Sequence, residues 1–195
     1  MAKADKKAKK LKASDKPKKK KKDAKKAAPA AKASPAPVSP LAPDAFPDIP
    51  PVEGILFASG AAGVRYAGRT DVMLVDIAPG STVAGVFTRS ATRSAAVLDC
   101  EEKLAKIVEK PRHGFAVIVN SGNANTFTGE RGARDVAAIA EAAGQAVGIP
   151  PDHVFTSSTG VIGEPLPHDR ITAAVAGLAE DLAPGGLDAA ARGIM

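Results

Sequence analysis

The sequence predicts an α/β fold, on two observations. Short runs of Val, Ile and other apolar residues alternate with longer stretches in which apolar residues recur three or four positions apart. Strands alternating with helices imply a sheet under helical cover. The second observation is where the polar tracts fall. Asn120 to Asn125 and Thr156 to Gly163 each follow an apolar run, as junctions between strand and loop do.

The elements follow in order. Residues 55–59, 71–78 and 82–88 are short apolar or β-branched runs. Pro79-Gly80 between the last two is a turn signal, so those two are expected to pair as a hairpin. Residues 114–119 form a continuous apolar run, the pattern of a strand buried on both faces. Val136, Ile139, Ala140, Ala143, Ala146 and Val147 keep helical spacing, with Glu130, Arg131 and Arg134 near the start and Gly148 then Pro150 as a stop. Residues 153–157 read as a strand that ends in Ser158-Thr159-Gly160. Residues 169–182 read as a helix with Ile171, Val175, Leu178 and Leu182 on one side. Asp188 is the expected N-cap of a last helix, in which the sequence stops.

Charge separates the chain into two regions. The formal net charge of +6 over 195 residues averages a tail and a domain of opposite sign. Residues 1–40 carry 15 Lys, no Arg and 3 Asp, whereas the other 155 residues carry 12 basic and 18 acidic side chains. A basic globular protein is therefore excluded. The tail is almost wholly Lys, Ala, Pro, Ser and Asp, too poor in apolar surface to offset chain entropy. The expected organisation is a disordered tail and linker over 1–45 and a folded region over 46–195. Residues 18–22 are all lysine, which suits either a nucleic-acid or nuclear-import arm or a solubilising tail with salt-sensitive polyanion contacts. No aromatic side chain interleaves the lysines to stack on bases, so nucleic acid is not the expected partner.

Other classes fall away on residue content. Cys100 is the single cysteine, which removes an intrachain disulfide and a cysteine-based zinc site. His113, His153 and His168 have no metal-ligand spacing, and no metal is expected. No apolar stretch approaches the roughly 18 residues of a membrane helix, and no hydrophobic core follows the N-terminal charges as in a secretory signal. A cytoplasmic protein is the expectation.

Common nucleotide, hydrolase and zinc motifs are absent, which leaves the two junctions as candidate sites. The small residues and amides of Asn120 to Asn125 would let a ligand approach the backbone closely. They equally fit a turn held by its own Asx hydrogen bonds. Around Thr159 and Gly160, hydroxyls crowd a strand end just before glycine-permitted backbone. That arrangement can aim a hydroxyl and a backbone N–H into one concavity, as an oxyanion hole requires. It equally fits a loop whose hydroxyls cap the next segment.

The residues of both junctions, with Thr128-Gly129, Gly148-Ile149-Pro150 and the run Ser158-Thr159-Gly160-Val161-Ile162-Gly163-Glu164-Pro165-Leu166-Pro167, strongly resemble the ornithine acetyltransferase family, the self-cleaving glutamate N-acetyltransferases of arginine biosynthesis. Gly63-Val64-Arg65-Tyr66, Gly68-Arg69-Thr70-Asp71 and Ala84-Gly85-Val86-Phe87-Thr88 resemble the family's opening, so the resemblance covers about residues 46–195. It implies a layered helix/sheet/sheet/helix sandwich, of which this sequence is the N-terminal, α-chain part. It also implies an enzyme cleaved before a threonine that takes acetyl from N2-acetylornithine and passes it to L-glutamate. Some members also accept acetyl-CoA, and otherwise no cofactor is implied. The family's oxyanion hole maps onto the Thr159 hydroxyl and the Gly160 N–H. The expected partners are N-acetylornithine, glutamate and a β chain that carries the nucleophilic threonine, assembled into an oligomer of α and β chains. No Ala-Thr cleavage site in the family's context lies within these residues, so the chain alone is expected to be inactive. Two other readings are a polyanion-binding protein working through the lysine tail and a related self-cleaving aminopeptidase.

Overall fold

A computed structural model describes residues 39–42, 45, 47–107 and 112–195. The expected disorder of the tail and its lysine run fall on residues 1–38, outside the described residues. The folded unit runs from Asp44 to Met195. Its elements are β1 (Ile55–Gly60), β2 (Val72–Ile77), α1 (Ala95–Lys106), β3 (Phe115–Asn123), α2 (Gly129–Val147), a single 3-10 turn at Pro151–His153, β4 (Val154–Val161), α3 (His168–Glu180) and α4 (Leu187–Gly193).

The four strands form one sheet in the order β1-β2-β3-β4, antiparallel except for the parallel β3–β4 pair. The α2 crossover joins that parallel pair. Among the described residues there is one sheet, with helices on both faces. Its central strands alternate strictly. Val72, Leu74, Ala116, Ile118 and Val154 bury one face against Ile139, Ala140 and Ala143 of α2 and Ile171, Val175 and Leu178 of α3. Phe115, Val117, Phe155 and Ile77 point to the other face, where Cys100 and Leu104 of α1 meet them. Register is fixed because a one-residue slip would turn both apolar sets inside out.

Two expectations need correction, and one element was missed. Residues 82–88 do not pair with β2: both edges of β2 are occupied, by β1 (Phe57↔Val75) and by β3 (Leu74↔Ile118), so the turn at residues 79–80 closes no hairpin. The helix α1 was not foreseen, because its buried positions Ala96, Cys100 and Lys103 give a weak apolar stripe; Ser94 caps it, its Oγ accepting from the Val97 N–H at 3.4 Å. The last helix takes Gly186 as N-cap, and Asp188 sits inside its first turn, paired with Arg192 at 2.9 Å. Gly148 does end α2, in the left-handed conformation, its N–H donating to the Gly144 carbonyl.

The outer edge of β4 is covered by side chains of α1. Lys103 is almost fully buried; its Nζ donates to the Val154 carbonyl at 2.8 Å and pairs with Asp99 at 2.7 Å. The Cys100 thiol donates to the Thr156 carbonyl at 3.3 Å. Burial pushes the Asp99 carboxyl above its usual range, with the Lys103 ammonium pulling against it, and burial likewise raises the Cys100 thiol.

On β2, half-buried Asp76 lies between Leu56 and Ala116 in register, and desolvation holds its carboxyl above the ordinary value. A folded-state pKa raised above the unfolded one makes the charged form a cost. That cost is full above the raised pKa and is relieved as pH falls through it. Asp76→Asn is therefore expected to raise the melting temperature at pH 7 by about 1–2 °C, a gain that vanishes in strong acid. Thermal unfolding at the two pH values checks it.

Candidate active site

The two polar junctions lie side by side because β3 and β4 are parallel and in register. Asn120 faces Ser158, Ser121 faces Thr159 and Gly122 faces Gly160. Ligands of open α/β sheets gather at the carboxyl ends of such strands. Both strands run further than expected, and the loops begin later. Asn120 to Asn123 still belong to β3, and Ser158 to Val161 still belong to β4, so the candidate residues sit on strands rather than on loops.

The asparagines are engaged within the chain. Asn120 Oδ1 accepts from Ser158 Oγ at 2.7 Å, and Asn120 Nδ2 donates to the Asn123 carbonyl at 2.9 Å. Asn123 Nδ2 donates to the Glu164 and Pro165 carbonyls, while its Oδ1 accepts from the Asn125 N–H at 2.8 Å. Asn125 is fully buried at φ 47°; Nδ2 donates to the Gly132 carbonyl at 3.1 Å, and Oδ1 accepts from Thr128 Oγ1 at 2.7 Å. Of the two readings for this tract, a self-held turn is the one these bonds describe. Asn tolerates left-handed backbone far better than Ala. Asn125→Ala is expected to cost about 2–3 kcal/mol, from two lost buried hydrogen bonds and the strained φ, read as a lowered denaturant midpoint.

Thr159 and Gly160 are arranged differently. Both are exposed, and among the described residues the Thr159 hydroxyl has no hydrogen-bond partner. Gly160 has φ 132°, and a Cβ there would overlap the Gly122 carbonyl carbon and lie 2.5 Å from the Asn123 nitrogen. Gly122 in turn carries Arg65, whose Cβ would stand 2.9 Å from an added Cβ. The strand ends thus touch backbone to backbone under an arginine.

Asp71 positions that arginine, and sequence reading had not given this residue a role. Its buried carboxylate accepts from the Ala62 N–H at 2.7 Å and the Val64 N–H at 2.6 Å, which folds residues 61–71 back over the sheet end. Arg65 then reaches Glu164 at 2.7 Å, and the neighbouring Tyr66 hydroxyl, followed by this ion pair, raises the guanidinium pKa. An Asp ending a Gly-rich connection between two strands was the available signal. Among the described residues no cluster of His, Cys, Asp and Glu could hold a metal ion, and no helix is long and apolar enough to cross a membrane.

Fold and junction together define an α/β domain whose candidate site lies at the carboxyl ends of a parallel strand pair. The ArgJ family model matches residues 56–195, and the chain belongs to the ArgJ family. It is 56% identical over 151 residues to the arginine biosynthesis bifunctional protein ArgJ of Ruegeria pomeroyi, which covers 77% of this chain and 36% of that protein. It is 45% identical over 149 residues to the protein of the same name from Gluconobacter oxydans, covering 76% and 34%. The chain therefore spans about a third of the length of these curated relatives. Among solved structures, the ornithine acetyltransferase of Mycobacterium tuberculosis complexed with ornithine matches with TM-score 0.67 and 37% identity, over 74% of this chain and 76% of that one. ArgJ of Bacillus halodurans matches with TM-score 0.62 and 32% identity, over 73% and 72%.

Proposed function

We propose that this chain is the N-terminal, oxyanion-holding part of a glutamate N-acetyltransferase that takes acetyl from N2-acetylornithine, with acetyl-CoA as the other conceivable donor. The observation that carries the reading is the contrast at the strand ends. The asparagine amides and the Ser121 and Ser158 hydroxyls are spent on internal bonds, whereas the Thr159 hydroxyl is exposed and unpartnered among the described residues.

Backbone alternation supports a second donor. The Val161 carbonyl accepts from the Ala124 N–H on the β3 side, while the Val154 and Thr156 carbonyls point to α1. In a parallel strand alternate residues share a side, so the Gly160 N–H belongs with Val154 and Thr156, away from β3. A hydroxyl and an amide at adjacent residues are the donors that an acyl-transfer intermediate needs.

In this mechanism a threonine of the downstream polypeptide attacks the acetyl carbonyl of N-acetylornithine. Its own freed amine takes the hydroxyl proton. Negative charge collects on the carbonyl oxygen, held by Thr159 Oγ1–H and Gly160 N–H. Collapse expels ornithine, which leaves with a proton and leaves acetyl-threonine behind. The glutamate amine then attacks that ester through a second oxyanion at the same donors; the ester C–O bond breaks, the threonine oxygen regains a proton from the attacking nitrogen by way of the threonine amine, and N-acetylglutamate departs.

The lengths of the relatives support a divided enzyme. The aligned stretch is nearly the same share of this chain and of the tuberculosis chain, so those two are about equally long. The Ruegeria protein, of which 151 aligned residues are 36%, is more than twice as long. The test is the intact mass of the protein expressed from the full reading frame that holds this sequence. Two fragments summing to the precursor, with acetyl transfer from N-acetylornithine to glutamate, support the proposal. One uncleaved chain without transfer overturns it.

A further inference from the structure

Residues 82–88, a run of apolar and β-branched residues, make no backbone-to-backbone hydrogen bond among the described residues. Val83 packs against the Cys100–Phe115–Phe155 cluster, and Gly85 lies beside Leu104 and the Phe87 ring. Val86 points away, with 98% of its surface exposed. The segment belongs to no strand of the sheet; it is seated through Val83, with its backbone groups and most of its side chains open. Unpaired ladder groups next to β-branched side chains are a template for another strand. Val83, Ala84 and Phe87, with Val97, Phe155 and Ser158, wall a cavity of about 340 Å3 between α1 and β4. That cavity ends one residue short of Thr159.

We infer that residues 82–88 form an interface strand, paired with an extended apolar segment of the downstream polypeptide that also closes this cavity. The inference rests on the reading proposed above and adds the place of docking. Three observations select this occupant over others. The curated relatives are more than twice as long as this chain, so a large polypeptide must be accommodated. Thr159 and Gly160 supply donors but no nucleophile, so that polypeptide must reach β4, and the cavity leads there. Both edges of the central strand β2 are taken, so the open ladder of residues 82–88 cannot be closed from β2.

Hydrogen–deuterium exchange on the complete protein and on the 195-residue chain tests it, with Val86→Asp as the companion variant. Amides of residues 83–88 are expected to exchange about 100-fold more slowly in the complete protein. Val86→Asp is expected to weaken association of the two polypeptides at least about tenfold, because a carboxylate cannot enter an apolar interface unpaired. Fast exchange in both forms overturns the inference, and if acetyl transfer is present the functional reading survives. Protection without acetyl transfer keeps the interface and sinks the functional reading instead. Protection in the 195-residue chain alone, with a doubled mass in solution, means a second copy is the occupant and also overturns the inference. The exchange comparison uses unmutated protein, so it decides even if Val86→Asp fails to fold.

Discussion

Gly160→Ala is expected to cost about 3 kcal/mol or more, enough to lower the melting temperature by roughly 10 °C in a domain of this size. Two effects add. At φ 132° an L side chain is strained whatever the space, at about 1–3 kcal/mol. The new Cβ would also meet backbone, the Gly122 carbonyl carbon and the Asn123 nitrogen, which cannot turn aside as a side chain can. β3 and β4 would have to part at the position where Asn120, Asn123 and Ser158 are bonded to one another or to the neighbouring chain. Gly163→Ala is the control: φ is also positive there, at 79°, yet nothing stands within 4 Å of an added Cβ. It is expected to cost only about 1 kcal/mol. Equal melting temperatures for the two variants would mean that the close approach of the strands is not what requires glycine.

Thr159→Ala is expected to do the reverse, leaving stability alone and removing activity. The side chain is exposed and makes no hydrogen bond among the described residues, so its loss is expected to fall within about 0.5 kcal/mol of neutral. In the complete enzyme, kcat for acetyl transfer is expected to fall on the order of 100-fold, the usual effect of removing one oxyanion donor. KM should change little, because the donor acts on charge that develops only in the transition state. Thr159→Ser keeps the hydroxyl and should recover most of the rate. Retention of a third or more of kcat in the alanine variant would remove Thr159 from the mechanism.

Much of the fold was legible because burial writes itself into period. The run from Phe115 to Val119 is apolar throughout since β3 is covered on both faces, and α2 and α3 show their stripes for the same reason. What escaped was decided by partners far away in sequence. The run at residues 82–88 has strand composition, but composition cannot reveal that β2 already has two neighbours. The helix α1 hides a lysine among its buried positions, and only the Val154 carbonyl and Asp99 make that burial tolerable. The candidate site was legible as a pair of junctions. Their adjacency was not, since it depends on the register that sets Gly122 against Gly160. Asp71 escaped because its partners, the Ala62 and Val64 amides, are backbone groups and leave no residue signature.

The sealed margins of the sheet bear on how such a protein avoids self-association. On the β1 side, Phe57 exchanges both backbone hydrogen bonds with Ala183, at 2.9 and 3.0 Å. On the β4 side, Lys103 and Cys100 occupy the carbonyls of Val154 and Thr156. An exposed margin recruits stray strands indiscriminately and seeds fibrous aggregates. With both margins stoppered, two stretches of backbone stay open among the described residues, Ser158 to Gly160 and residues 82–88, and under the proposed function each has its own partner. Newly made chains would therefore be most prone to clump in the interval before those two stretches are covered.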